Sequence, residues 1–117
     1  AACVGDGSYM FANPVACGQI AEALGLPILV VVMHNGIWNA VRRATLSLYP
    51  DGQAARANAM AITSLEPAPD FALVARANRG WSERVDDPAR LAGALAEAVT
   101  VIRSEGRMAT VEVMVGY

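Results

Sequence analysis

At 117 residues, with 55% hydrophobic content and a net charge of -2, the chain is long enough to bury a core as one domain, and its composition excludes a disordered segment or a nucleic-acid binder. All nine basic residues are arginine and lysine is absent, which removes a P-loop, a Schiff-base enzyme and a pyridoxal site together. The apolar run Ile28 to Met33 falls far short of a membrane span, and the cytoplasm is the default compartment expected. Cys3 and Cys17 are the two cysteines and read as small buried apolar residues. The chain opens at Ala1 almost inside a strand, so residues 1–117 are expected to be one domain cut from a longer polypeptide.

A short apolar run, Ala1 to Val4, predicts a first strand, and Gly5-Asp6-Gly7-Ser8 reads as the turn at its carboxyl end. Glycines on both sides of Asp6 allow positive φ and leave no Cβ to block an incoming anion. Asn13-Pro14 is an N-cap with proline at the first helical position, Ala16, Ile20, Ala23 and Leu24 share a helical face, and Gly25 ends the helix. After Pro27, the β-branched run Ile28 to Met33 suits a parallel strand covered on both faces. A right-handed crossover brings the carboxyl ends of both strands to one edge of the sheet, where open α/β sheets bind ligands. Asp6 and Asn35 then face one crevice, although twenty-six residues separate Gly7 from His34.

The Asp6 carboxylate, the Asn35 amide oxygen and the backbone carbonyl of Ile37 are hard oxygen donors of the kind magnesium accepts, with phosphate oxygens and water completing its octahedron. The expected site is half of a metal-diphosphate clamp.

Further along, Ile37, Val41, Ala44 and Leu48 predict a second helix that stops at Tyr49-Pro50-Asp51-Gly52. Trp38 and Asn39 either line the pocket or simply pack, and Arg42-Arg43 either reach an anionic group or form a solvated face. Gln53 to Pro69 reads as a long loop carrying at most a short helical turn; it covers a cofactor, meets a partner subunit or is a surface excursion. Asp70 to Asn78 predicts a third helix with Phe71, Val74 and Ala75 inward and Gly80 as its stop. Trp81 to Val85 is a short strand. Asp87-Pro88 starts the last helix, with Leu91, Leu95, Val99 and Ile102 as its apolar stripe ending before Gly106, and Asp86 and Asp87 belong to its cap rather than to a paired-carboxylate site. The closing strand alternates Ala109, Val111, Val113 and Val115 with Thr110, Glu112 and Met114, one face wetter than the other.

Gly5-Asp6-Gly7-Ser8 followed by Asn35-Gly36 resembles the thiamin-diphosphate motif, Gly-Asp-Gly and then Asn-Asn at a loosely fixed distance. His34 departs from it, standing where the first asparagine usually sits. A dinucleotide-binding unit fits less well, because Met10 takes the place of the third glycine and no acidic residue ends the second strand. Phosphatases of the haloacid dehalogenase type share Gly-Asp-Gly, but Tyr9-Met10 replaces their Asn-Asp. Over the whole chain, the order of elements looks like the C-terminal pyrophosphate domain of the acetolactate synthase and 2-oxo acid decarboxylase group, and the run Gly5 to Phe11 leans toward the acetolactate synthase-like branch.

The resemblance implies an α/β fold of three layers, a mostly parallel sheet with helices on both faces. It implies Mg2+ held by Asp6, Asn35 and Ile37, and thiamin diphosphate met by Gly5, Gly7, Ser8, Tyr9 and Gly36 beside them. It further implies an enzyme, lyase or transferase, that makes or breaks a carbon-carbon bond next to the carbonyl of a 2-oxo acid, working as a homo-oligomer, dimer or tetramer, in the full-length protein. The glutamate that activates the cofactor lies in another domain of that group, so no residue here takes that role. His34 is a candidate for proton transfer or, equally, a histidine hydrogen-bonded at a strand end. Two alternatives stand beside this reading: a degenerate assembly domain that binds no cofactor, and a generic nucleotide-binding α/β module.

Overall fold

The computed structural model describes residues 1–57, 59–61 and 63–116. In chain order the elements are β1 (Ala2–Gly5), α1 (Asp6–Phe11), α2 (Pro14–Ala23), β2 (Leu29–His34), α3 (Asn39–Leu48), α4 (Gln53–Arg56), α5 (Phe71–Ala77), β3 (Trp81–Val85), a 3-10 turn (Pro88–Arg90), α6 (Leu91–Glu105) and β4 (Ala109–Met114). They divide between two compact units, one of Ala1–Asn35 with Pro69–Gly116 and one of Gly36–Ala68.

The first unit is built on a parallel sheet of four strands in the order β1-β2-β4-β3. Ala2 is in register with Val30, Leu29 with Ala109, and Trp81 with Ala109. Strand side chains alternate between faces, so each interior strand feeds two cores. Val30 and Val32 pack with Tyr9 of α1 and Phe71 of α5 on one face. Ala109, Val111 and Val113 pack with Ala94 and Ala98 of α6 on the other, joined by Leu29 and Val31. The predicted α/β class, a parallel sheet with helices on both faces, is what the chain forms.

Local chemistry explains the boundaries. Asn13, in the left-handed region at φ 55°, caps α2 by accepting the Ala16 amide at 3.3 Å ahead of Pro14. Asp70 caps α5 through the Leu73 amide at 2.8 Å, and Asp87 accepts the Ala89 amide at 2.9 Å, as its reading as a cap requires.

Several expectations are corrected. The Gly-Asp-Gly-Ser segment is not a free turn: Gly5 stays extended at φ -74° and ψ 157°, and Asp6 opens helix α1 at once. Neither flanking glycine is among the positive-φ residues, which include Gly25, Gly36 and Gly106. In α2 the packed residues are Gly18 and Ala21, whereas Ile20 is 51% and Leu24 67% exposed. The reason is close approach to α5, since a Cβ on Gly18 would come within 2.5 Å of the Asn78 side chain. The α6 seam is likewise centred on the small residues Ala94 and Ala98 with Val101, and Leu91, Leu95 and Ile102 flank it. Arg79, at φ 58°, rather than Gly80, makes the left-handed exit from α5. Cys3 and Cys17 are both exposed, on the outermost strand and on α2. The polar residues of β4 do not face water: Thr110 and Glu112 are fully buried, because β4 is an interior strand with helices on both sides.

In the second unit, α3 starts after Ile37, and none of its residues is buried. Its apolar Val41 and Leu48 are exposed, and among the described residues this unit contributes no strand to the four-stranded sheet. The segment read as a long loop does carry one helical turn, α4, and then returns to residues 36–38. Ile37 forms an antiparallel bridge with Ser64, the Trp38 amide donates to the Thr63 carbonyl at 2.8 Å, and the Leu65 amide donates to the Gly36 carbonyl at 2.9 Å.

Candidate functional site

Strands β1 and β2 are neighbours and parallel, so Asp6, directly after β1, and Asn35, directly after β2, arrive at the same edge. The side chain of Asp6 is only 3% exposed. Its Oδ1 accepts the Gly7 amide at 2.8 Å and its Oδ2 accepts the Asn35 amide at 3.0 Å. The carboxylate therefore ties the first turn of α1 to the end of β2. Each carboxylate oxygen carries two lone pairs, so accepting one amide does not bar it from coordinating a cation.

Gly5 precedes this carboxylate, and a Cβ built there meets nothing within 4 Å. Its dihedrals suit any residue, so neither backbone conformation nor packing in this unit requires a glycine. What its missing side chain leaves is open room beside Asp6. Ser8 is exposed, while Tyr9 turns inward to stack edge-on against Phe71, ring centroids 5.3 Å apart. Burial raises the Tyr9 phenol above its ordinary value of 10.0.

His34, the last residue of β2, is 3% exposed. Its Nδ1–H donates to Glu112 Oε1 at 2.5 Å, its ring lies 5.0 Å from that of Phe71, and its backbone carbonyl accepts the Val115 amide at 2.9 Å. His34 Nε2 and Glu112 Oε2 are buried with no partner among the described residues. The sequence reading missed Glu112, whose alternation with valines reads as a solvent face. The usable signal is a lone carboxylate in a strand that the order of the sheet makes internal.

Gly36 and Ile37 belong to the 36–68 unit. Gly36 sits at φ 71°, where a Cβ would come within 2.9 Å of Glu66 Oε1. The Ile37 carbonyl accepts the Asn39 amide at 2.9 Å, and Trp38 Nε1 is buried without a partner among the described residues.

Among the described residues no group of three or more His, Cys, Asp or Glu gathers to hold a metal. One buried carboxylate beside an asparagine instead offers a donor set of oxygens, which fits a small hard cation shared with a phosphate ligand and does not fit a soft transition metal. The open face of Gly5 fits a diphosphate reaching that cation.

The sequence profile of the family described as thiamine pyrophosphate enzyme, C-terminal TPP binding domain, matches residues 1–113. The chain belongs to this family. The TPP-binding domain also superimposes on the thiamine diphosphate-dependent 4-hydroxybenzoylformate decarboxylase of Rhodococcus jostii RHA1 with a TM-score of 0.79 at 17% sequence identity, covering 98% of this chain. That likeness shows the shared fold, and the chain spans 19% of the length of the decarboxylase. No curated protein sequence matches the domain. Among its described residues, no helix is long and apolar enough to cross a membrane.

Proposed function

We propose that this domain anchors thiamin diphosphate through Mg2+ in an enzyme that makes or breaks a carbon-carbon bond beside the carbonyl of a 2-oxo acid. The observation that carries the reading is the buried Asp6 carboxylate bonded to the Asn35 amide across the carboxyl edge of two parallel strands. Asp6 and Asn35 supply side-chain oxygens to the cation, and Ile37, two residues on, supplies its carbonyl. The backbone of Gly7, Ser8 and Tyr9 meets the diphosphate over the space that Gly5 leaves open, and Gly36 lets the chain turn after Asn35. The bound cofactor supplies the electron sink for cleavage next to the carbonyl.

The chain's own part is to hold and orient. Its buried His34 is engaged by Glu112, which favours the strand-end role over proton transfer. The run Gly5 to Phe11 supports an acetolactate synthase-like specificity, as lyase or transferase. Exposed Ile20 and Leu24 on α2 favour a homo-oligomer, dimer or tetramer, in the full-length protein.

The test is calorimetric titration of the full-length protein with thiamin diphosphate, with and without Mg2+, for wild type and Asp6→Ala. Binding that needs Mg2+ and disappears in Asp6→Ala is expected. Binding indifferent to both overturns the assignment in favour of a nucleotide module, and no binding favours an assembly domain. Turnover of pyruvate and a panel of other 2-oxo acids then identifies the substrate.

A further inference from the structure

The interior of the sheet face that carries Tyr9 and Phe71 contains one feature that stability alone does not account for. Val30 and Val32 fill that face of β2, yet β2 ends on His34, and the neighbouring strand places Glu112 at 0% exposure. Burying a carboxylate and an imidazole costs desolvation that an apolar pair of similar volume avoids. Both side chains also leave one polar atom without a partner among the described residues. Departures from local rules of this kind concentrate at functional sites, and His34 directly precedes Asn35.

The contacts form a continuous path. Glu112 Oε1 takes the His34 Nδ1–H, and the Val115 amide holds the His34 carbonyl, so β4 grips this residue at its ring and its backbone. The following peptide carries the Asn35 amide that donates to Asp6 Oδ2, and Asp6 Oδ1 accepts the Gly7 amide. A shift of the His34 ring would move the Asn35 peptide, and with it the carboxylate and the first turn of α1.

We propose that Glu112 is a positioning residue of the metal-diphosphate site, acting through His34 to keep the Asn35 amide and the Asp6 carboxylate in register. This rests on the thiamin-diphosphate reading above and adds to it a residue from the opposite end of the chain that touches neither cofactor nor metal. Residues that orient metal ligands at one remove change metal affinity when they are replaced.

The experiment uses the full-length enzyme as wild type, Asp6→Ala, Glu112→Gln, His34→Asn and the Glu112→Gln/His34→Asn double variant. For each, Mg2+ is titrated at fixed thiamin diphosphate and followed by intrinsic tryptophan fluorescence. The melting temperature of the cofactor-free protein and kcat at saturating cofactor are also recorded. Glu112→Gln and His34→Asn should each raise the half-saturating Mg2+ about tenfold, with kcat at saturation unchanged, whereas Asp6→Ala should bind no cofactor. The double variant should show no more than the larger single effect, because both substitutions cut the same path.

A purely structural role lowers the melting temperature and leaves half-saturation where it was; that result, or shifts that multiply in the double variant, overturns the proposal. Should Glu112→Gln fail to fold, His34→Asn decides alone, with an unchanged Mg2+ half-saturation counting against. Wild type that binds only with Mg2+, loss of binding in Asp6→Ala, and Glu112 and His34 variants that bind like wild type would refute the positioning role while leaving the cofactor assignment intact. Wild type without Mg2+-dependent binding, or Asp6→Ala that still binds, removes the assignment and this proposal with it.

Discussion

The carboxylate of Asp6 and the backbone amide of Asn35, 29 positions apart in sequence, are joined at 3.0 Å across neighbouring parallel strands. Because the same side chain also takes the Gly7 amide, Asp6 contributes to the fold before any ligand arrives. Asp6→Ala should lower the stability of the cofactor-free protein by about 1–3 kcal/mol, the cost of leaving buried amide donors unsatisfied. Asp6→Asn, which keeps an acceptor oxygen, should lose less. Urea denaturation without cofactor measures both.

The buried pair of His34 and Glu112 gives an asymmetric expectation. Glu112→Ala leaves the imidazole without its partner and should cost about 3–5 kcal/mol. His34→Leu/Glu112→Met, which replaces both polar groups by apolar ones, should cost less than the single change. Denaturant midpoints of the three proteins decide, and a double variant worse than Glu112→Ala would contradict this reading of the pair.

Gly5→Ala separates folding from binding. The residue is extended and a Cβ there meets open space, so the cofactor-free protein should gain about 0.4–1 kcal/mol from a stiffer unfolded chain. Affinity for the magnesium-cofactor complex should fall, since the methyl group enters the room beside Asp6. Melting temperature and a cofactor titration on the same sample report the two effects.

Between α2 and α5 the expectation is steric. Gly18→Ala sets a Cβ within 2.5 Å of Asn78 and should destabilise by about 1–3 kcal/mol through overpacking. Asn78→Ala in the same chain removes the two nearest obstructing atoms, Nδ2 and Cγ, but keeps the Cβ at 2.9 Å, so the double variant should recover only part of that loss. A thermodynamic cycle over the four proteins measures the coupling.

Tyr9 should give the protein an alkaline weakness. Below 10.0, the ordinary phenol value, the folded and unfolded chains both keep this proton, and Tyr9 adds no pH slope. Above it the unfolded phenol ionises while burial holds the folded one neutral, so stability falls as pH rises through the window from the ordinary value to the raised one. Tyr9→Phe should flatten that part of the profile. Melting temperature against pH for the two proteins is the measurement.

Most of the skeleton was legible because its signals are local. Asn13-Pro14, Asp70 and Asp87 cap through their own neighbours, and the valine run of β2 needs two covered faces wherever it occurs. Asp6 and Asn35 could be placed together from chain topology alone, since a right-handed crossover leaves both at one edge. What stayed hidden depends on partners distant in sequence. That Gly18 and Ala21 pack while Ile20 and Leu24 do not is decided by α5, and Glu112 reads as wet until β4 is known to lie between β2 and β3. Cys3 misled for the same reason, because nothing in its neighbourhood reveals that β1 is the edge strand.

The order β1-β2-β4-β3 also bears on how the molecule is made. The last of the four described strands fills an interior place, so among the described residues β3 has no partner in the sheet until β4 slots between it and β2. During synthesis the earlier elements must wait, with valine-rich surfaces uncovered, for a segment that leaves the ribosome late, a sequence-distant closure of the kind that slows folding. Trimming Ala109–Met114 would therefore split the sheet down its middle instead of shortening it from one side.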